Sequence, residues 1–217
     1  MTASSIGKIT SVDELRRHYR APSSLVRSKV KATLDPMSVA FIEQCPFVLL
    51  ATVGSNGSVD VSPRGGPSGF LRVLESGEIV LPDLNGNNLL DALENVVRTG
   101  RAGMLLVHPG KDETLRVNGT AIVTVDDEVL DCCTADLRRP KSAIVFTPDQ
   151  VFIHCAKAFR RGRVWDPASW PELADAPDAA AILFCQLDMG DPDPFRAQMA
   201  QGYADELALD LPDTTQD

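Results

Sequence analysis

FVLLATVGSNGSVDVSP, residues 47–63, contains two strand patterns separated by a turn signal. Its first seven residues form a continuous apolar run of strand length, and SVDVSP alternates apolar and polar residues as a half-buried strand does. Asn56-Gly57 is typical of a two-residue hairpin turn, because both residue types tolerate a positive φ. We therefore expect an antiparallel hairpin at the start of a sheet.

Strand patterns continue beyond this hairpin. They are FLRVLE (70–75), EIVLP (78–82), AGMLLVH (102–108), TLRVNGTAIVTV (114–125) and AIVFTPDQVFIHC (143–155), the last being one broken strand or a pair. Gly119 is expected to mark a β-bulge in the longest of them. Six or more strands around one helix predict a small, closed barrel.

The clearest helix pattern lies in NGNNLLDALENVVRTG (85–100), between two of these strands. We expect Asn87 or Asn88 to cap its start and Gly100 to end it, since asparagine and glycine are preferred at those positions. Its apolar residues recur at helical spacing: Leu89, Leu90, Leu93, Val96 and Val97.

Helical patterns also flank the strands on both sides. Ser11 with Glu14 forms a capping box, and Asp35-Pro36 is a helix start. Apolar residues recur at helical spacing again over 178–187 and 195–207. We therefore divide the chain into a helical lead-in (1–45), a barrel (46–166) and an acidic helical tail that packs on the barrel (167–217).

The charge of the chain is concentrated in that tail. The net charge is −9, yet residues 172–217 contain 11 acidic side chains and one arginine, so the remaining chain is close to neutral. A neutral body argues against a broad nucleic-acid surface. The longest apolar run has seven residues and the N-terminus lacks the apolar centre of a signal peptide. We expect a cytoplasmic protein without a membrane partner.

Common catalytic and metal motifs are missing from the sequence. It has no P-loop, no G-x-G-x-x-G after a strand and no G-x-S-x-G. The five cysteines include a vicinal pair but no C-x-x-C, which predicts reduced, mostly buried thiols. His154 and Cys155 are neighbours on a strand and point to opposite faces, so we expect no metal site. We assign no catalytic residue.

Three segments are candidate anion sites. The helix start near Asn87 offers backbone N–H groups, PRGGPSG (63–69) places Arg64 beside two glycines, and HCAKAFRRGRVW (154–165) is basic and closed by Trp165. Each also has a structural interpretation. The asparagines can simply cap the helix, the glycine loop can simply turn, and the cations can neutralise the acidic tail.

Taken together, five segments within residues 35–166 resemble a known family. They are CPFVLLATVGSNGSVDVSPRGG (45–66), EIVLPDLNGNNLLDALENV (78–96), RAGMLLV (101–107), TLRVNGTAIV (114–123) and FIHCAKAFRRGRVW (152–165). They resemble the pyridoxamine 5′-phosphate oxidase-like flavin-binding split-barrel family, in its branch of FMN-dependent enzymes of unassigned substrate. The resemblance implies a mainly β fold with flanking helices, a six-stranded antiparallel split barrel, and a homodimer that holds FMN between its subunits.

The resemblance also implies cofactor-binding residues. Where the true oxidases carry Arg-Lys for the phosphate, this chain has two neutral amides, so backbone N–H groups or the basic segment must supply more of the phosphate contact. The family's tryptophan followed by an R-L-H-type loop is absent, so vitamin B6 oxidation is not expected. The implied residues are Arg64, Gly65, Leu81, Pro82, Asn87, Asn88, Thr114, Arg116, Lys157, Arg160 and Arg161.

The function expected from this resemblance is an FMN-dependent oxidoreductase. It would pass electrons from a reduced nicotinamide, NADH or NADPH, or a similar donor to a small acceptor. One alternative is a flavin-binding protein that stores FMN without turnover. Another keeps the barrel but uses a deazaflavin or haem, for which His154 or His108 would be the axial ligand.

Overall fold

The fold is one antiparallel sheet of seven strands flanked by helices. We describe it from a computed structural model that covers residues 6–86, 88–134, 136–172 and 176–212. The strand order is β2-β1-β5-β6-β7-β4-β3. The strands are β1 (Phe47–Val53), β2 (Val59–Gly65), β3 (Arg72–Val73), β4 (Ile79–Pro82), β5 (Arg101–Val107), β6 (Thr114–Thr124) and β7 (Ala143–His154).

The hairpin expected at residues 47–63 is present as β1 and β2, which pair from Phe47 with Gly65 to Val53 with Val59. Its turn is longer than the two-residue turn expected from Asn56-Gly57. Gly57 has a φ of +82°, whereas Asn56 does not enter the left-handed region. The side chain of Asn56 instead accepts a hydrogen bond from the Ser58 N–H at 2.9 Å, which stabilises a five-residue loop.

The predicted mainly β fold with flanking helices is confirmed, with two differences. The sheet has seven strands rather than six, because the two-residue strand β3 pairs with β4. The two end strands, β2 and β3, form no ladder with each other in the described residues, so the sheet curls into a split barrel and does not close.

An irregularity near Gly119 lies where the sequence predicts a bulge. Asn118 pairs with Gln150 and Gly119 with Pro148, so Asp149 is the extra residue and lies on β7. A Cβ on Gly119 would lie 2.1 Å from the Thr147 carbonyl oxygen, which only glycine avoids. Residues 143–154 therefore form one strand with an irregularity, which is the first of the two options expected for this segment.

Two apolar clusters lie on the two faces of β4. Ile79 and Leu81 belong to the main core, with residues of β1, β5, β6 and β7. Val80 belongs to a smaller cluster with Leu130, in the short helix Asp127–Asp131, and with Cys133, just after that helix. Both faces of β4 are therefore covered, which explains its unbroken apolar sequence.

Eight α-helices lie in the described residues. The caps predicted at Ser11 and Asp35 are confirmed by hydrogen bonds from backbone N–H groups to their side chains. No helix in these residues has both the length and the apolar character needed to cross a membrane. The helices are α1 (Val12–Arg16), α2 (Ser24–Ser28), α3 (Pro36–Glu43), α4 (Asp91–Thr99), α5 (Asp127–Asp131), α6 (Lys157–Gly162), α7 (Ala179–Gln186) and α8 (Asp193–Ala208).

The two helices expected in the tail are present as α7 and α8. They contact each other through the rings of Phe184 and Phe195, whose centroids are 5.5 Å apart. Arg196 bridges them, with its Nε 2.6 Å from Asp178. The single arginine of the tail thus pairs within the tail, and Arg160 and Arg163 of the basic segment pair with Asp112 and Asp166.

Candidate functional site

A pocket of about 550 Å³ lies where the ends of β2 and β4 meet the end of α8. Apolar side chains form part of its wall, including Phe70, Leu84 and Leu93. Most of the lining comes from four segments: residues 62–65, residues 82–86, residues 138–141, and Leu207 with Leu209 and Asp210. Segments distant in sequence therefore meet around one cavity.

A polar stripe runs along β2 towards this pocket. We use that name for Asp60, Ser62 and Arg64, which alternate with exposed residues and lie half-buried on one face of the strand. Each has a buried polar atom without a hydrogen-bond partner among the described residues: Asp60 Oδ2, Ser62 Oγ and Arg64 Nε. Buried polar atoms are almost always paired in folded proteins, so this stripe points to a partner from outside the chain.

Arg64 is held in the pocket wall by Asp83. The Arg64 Nη1 and Asp83 Oδ1 atoms are 3.2 Å apart, and both side chains are largely buried. Burial raises the pKa of Asp83 above its ordinary value, and the attraction of Arg64 and of Lys141 offsets only part of that effect. The pair fixes one nitrogen of the guanidinium and leaves Nε for another acceptor.

The two glycines that follow Arg64 have different roles. Gly65 ends β2 and lines the pocket. A Cβ on Gly66 would lie 2.7 Å from Phe70, so Gly66 is required by the packing of its own chain. Of these two glycines Gly65 alone lines the pocket, and Gly86 of the loop after β4 lines it as well.

The loop after β4 corrects the predicted helix start. Asn88 and Leu90 have left-handed φ values of 56° and 60°, and α4 begins at Asp91 without a side-chain cap. The asparagine cap expected at 87 or 88 is wrong at Asn88, and Asn87 lies outside the described residues. Asn88 lines the pocket, and Gly100 ends the helix as predicted.

Three cations that sequence reasoning missed line the pocket: Arg138, Arg139 and Lys141. Arg139 is oriented by Asp131, 2.7 Å from its Nε, and by Asp127. The signal that could have identified them is the RRPK run at 138–141, the densest basic cluster outside the segment at 157–163.

The other predicted site residues lie away from the pocket within one chain. Thr114 is buried on β6, and Arg116 lies over the Phe152 ring at 4.3 Å with its buried Nε unpaired among the described residues. Lys157, Arg160 and Arg161 are exposed on α6. Leu81 is buried in the core. The structure thus brings together Arg64, Gly65, Pro82 and Asn88. It separates them from the predicted site residues of β6 and α6, which we call the β6–α6 group.

Neither candidate axial histidine lines the pocket. His108 Nε2 lies 2.9 Å from the Phe41 carbonyl oxygen. Burial, with the nearby cations Arg116 and Lys29, lowers the pKa of His154. Over the described ranges, no three His, Cys, Asp or Glu side chains cluster in a way that could hold a metal ion.

Comparison with known proteins identifies the family. The sequence model described as pyridoxamine 5′-phosphate oxidase matches residues 34–155, more than half of the chain. The chain belongs to the pyridoxamine 5′-phosphate oxidase family. The match includes β1 to β7 and Arg64, and it ends before the basic residues of α6. No curated protein matches the chain.

Solved structures similar to this family member carry several different descriptions. A candidate pyridoxamine 5′-phosphate oxidase from Lactobacillus delbrueckii is 24% identical, with a TM-score of 0.44, over 56% of this chain and 95% of that chain. An FAD-binding protein from Mycobacterium smegmatis is 13% identical, with a TM-score of 0.39, over 56% and 94%. The haem storage protein HutZ from Vibrio cholerae is 12% identical, with a TM-score of 0.37, over 56% and 94%.

Proposed function

We propose that this member of the family binds FMN and acts as an oxidoreductase. The observation that carries the proposal is the polar stripe: Ser62 and Arg64 line the pocket, and each has a buried donor without a partner in the described residues. A bound phosphate or flavin heteroatom would satisfy them. The pocket volume of about 550 Å³ lies within the range of small-molecule sites.

The phosphate of FMN would lie against Arg138, Arg139 and Lys141. These cations line the same pocket as Asn88, which stands where the true oxidases of the family carry a cation. Arginine and lysine bind phosphate through charge-assisted hydrogen bonds. The charge missing from the asparagine pair is thus available from a different part of the chain.

The ring of the flavin would lie on the apolar wall beside Arg64. When bound, a flavin supplies hydride and electron transfer, and the protein supplies orientation and charge. The guanidinium of Arg64, held by Asp83, would place a positive charge beside the ring edge that becomes electron-rich on reduction. The electron donor would be NADH, NADPH or a similar compound.

We also propose that a second copy of the chain completes the site. Thr114, Arg116 and the cations of α6 lie away from the pocket of their own chain, and the buried Nε of Arg116 has no partner among the described residues. The outer face of the β1–β2 hairpin offers a contact surface, since it exposes Phe47, Val53, Val59 and Val61. A homodimer would cover this surface and bring the two groups together.

The first test is a binding titration. Purified apo protein should quench FMN fluorescence on binding, with a dissociation constant at or below the micromolar range. Absence of binding at that concentration, with the chain folded, would remove the flavin proposal. Mass spectrometry of any ligand released from the purified protein separates FMN from a deazaflavin or haem.

A non-catalytic flavin store is the second candidate. The described pocket residues include no His, Cys, Tyr or Glu, so proton transfer would depend on Asp83, Asp210 or Lys141. Anaerobic mixing with NADH or NADPH distinguishes the two candidates. An oxidoreductase loses its visible flavin band quickly and recovers it when an acceptor is added, whereas a store is reduced slowly and does not cycle.

A further inference from the structure

The chain's own C-terminal segment occupies part of the pocket. Asp210 Oδ1 accepts hydrogen bonds from the backbone N–H and from the side-chain amide of Asn85, both at 3.0 Å. The Arg138 N–H donates to the Asp210 carbonyl oxygen at 2.8 Å. We call residues 207–210 the strap, because these contacts attach it to both sides of the pocket.

The contacts of Asp210 are those of an anion site. A backbone N–H and an amide N–H of Asn85 converge on one carboxylate oxygen, and the cations of residues 138–141 line the same cavity. Hydrogen bonds to an ionised acceptor are roughly twice as strong as neutral ones. A phosphate monoester needs the same kind of donors as a carboxylate does.

We propose that Asp210 is an intramolecular competitor for the phosphate group of the flavin, and that the strap is released when a phosphate-bearing ligand binds. The inference rests on the proposed function, since it assumes that the flavin phosphate enters this pocket. Two anions cannot use the Asn85 donors at once, and they repel each other inside one cavity. Binding of FMN therefore opposes binding of the strap.

The rest of the strap is weakly attached. Leu207 is 67% exposed and Leu209 is 49% exposed, so release of the strap uncovers little apolar surface. Helix α8 contributes no buried residue. The hydrogen bonds of Asp210 with Asn85 and Arg138 are therefore the main attachment, and a stronger anion can replace the carboxylate.

The proposed competition should affect the affinity for FMN but not the affinity for riboflavin. Riboflavin has the same ring as FMN but no phosphate, so it need not displace Asp210. The strap should lower the affinity for FMN without changing the affinity for riboflavin. A merely structural role of the strap would affect both flavins alike.

The experiment compares the full-length protein with Asp210→Asn and with the control Asp205→Asn. Asp205 is a tail carboxylate on α8 that accepts a hydrogen bond from Gln201 and does not line the pocket. Asp210→Asn should bind FMN about tenfold more tightly, equivalent to about 1.4 kcal/mol. Its riboflavin affinity, and both affinities of Asp205→Asn, should stay within about twofold of the unsubstituted protein.

Hydrogen exchange gives an independent measurement on the unsubstituted protein. Addition of FMN, or of inorganic phosphate alone, should raise amide exchange in residues 207–212 and lower it in residues 83–86. If neither flavin binds any variant, the proposed function fails. The exchange measurement with inorganic phosphate still shows whether an anion releases the strap. The inference is overturned if phosphate leaves the exchange of residues 207–212 unchanged. It is also overturned if Asp210→Asn binds FMN no more tightly than the unsubstituted protein.

Discussion

Arg64 and Asp83 form an ion pair of 3.2 Å that joins the end of β2 to the end of β4. These strands are far apart in the sheet order, and β2 is one of its two edges. The pair therefore connects two parts of the curled sheet that share no ladder. It also leaves the Nε of Arg64 buried and unpaired among the described residues, so this N–H lacks an acceptor that a ligand could supply.

The first prediction concerns the pH dependence of Asp83→Asn. Burial raises the folded-state pKa of Asp83 above its ordinary value of 3.8, so the folded state binds the extra proton between these two values. The contribution of Asp83 to the free energy of unfolding therefore falls as the pH rises through that window and is constant above it. Asp83→Asn, which keeps an acceptor for Arg64, should gain stability relative to the unsubstituted protein as the pH rises from acidic to neutral.

Urea unfolding at a series of pH values measures this difference. Asp149→Asn removes one negative charge from the exposed pair with Arg101 and serves as the control. A stability difference for Asp83→Asn that does not change with pH would show that the carboxylate titrates alike in both states.

The second prediction concerns Arg64→Lys and FMN. Lysine keeps a positive charge beside Asp83 but lacks the Nε–H and the planar fork of arginine. Loss of one hydrogen bond to a charged group costs about 1.5–3 kcal/mol, so FMN affinity should fall roughly ten- to a hundredfold. Fluorescence titration measures the affinity. Arg98→Lys, in an exposed pair with Glu94, is the matched control and should bind FMN normally.

The strands were predictable because their signals are local. Alternation over 58–63 and the apolar run over 47–53 report burial of one or two faces, which each strand carries in its own sequence. The number of strands was not predictable, and the strand patterns by themselves indicated a closed barrel, whereas the family resemblance correctly implied a split one. Closure of the barrel depends on whether β2 pairs with β3, the two end strands of the sheet. Neither strand carries a sequence pattern that indicates whether they pair.

The site was predictable only in part for a related reason. Arg64, Pro82 and Asn88 stand in segments that resemble the family, whereas Arg138 to Lys141 and Asp210 reach the pocket by tertiary packing. The start of α4 was misplaced because asparagine is favoured both as a cap and in the left-handed region. Asn88 takes the second option, and α4 begins at Asp91, two residues later than a cap at Asn88 would place it.

The third prediction concerns the close approach at Gly119. An alanine there would place its Cβ 2.1 Å from the Thr147 carbonyl oxygen and 2.9 Å from the Phe146 ring. Both atoms belong to β7, whose backbone cannot move without disturbing its pairing with β6. Gly119→Ala should lower the free energy of unfolding by about 1–3 kcal/mol or more.

A second glycine gives the control for this substitution. Gly202 lies in α8 with no atom within 4 Å of an added Cβ. Gly202→Ala should therefore raise the free energy of unfolding by up to about 1 kcal/mol. Denaturant unfolding of both variants tests the pair, and a neutral Gly119→Ala would contradict the packing at the bulge.

The fourth prediction concerns the reactivity of the thiols. The sequence predicts mostly buried cysteines, but Cys155 and Cys185 are exposed, and only Cys45 and Cys133 are buried. Burial raises the pKa of Cys45, and burial together with the neighbouring Cys132 raises the pKa of Cys133 to about 12. Iodoacetamide at mildly alkaline pH should modify Cys155 and Cys185 first, since the thiolate is the reactive form.

Peptide mass spectrometry with time measures the order of modification. Cys45 and Cys133 should stay unmodified in the folded protein and react only after unfolding in urea, which serves as the positive control. Early modification of Cys133 would show that α5 does not cover it in solution.

The fifth prediction concerns the outer face of the β1–β2 hairpin. Val59 and Val61 are 70% and 58% exposed, and on β1 they face Val53 and Ala51. A charge at Val61 would be buried if a second copy covers this face, and burial of an unpaired charge opposes association. We expect the unsubstituted protein to have twice the 23.4 kDa mass of one chain, and Val61→Asp to shift towards the monomer. Light scattering coupled to size-exclusion chromatography measures both masses.

Val97→Asp, at an exposed position on α4, is the control for an added surface charge and should remain a dimer. A Val61→Asp dimer as stable as the unsubstituted one would place the subunit contact on another face, and the β6–α6 cations would then need a different route to the pocket.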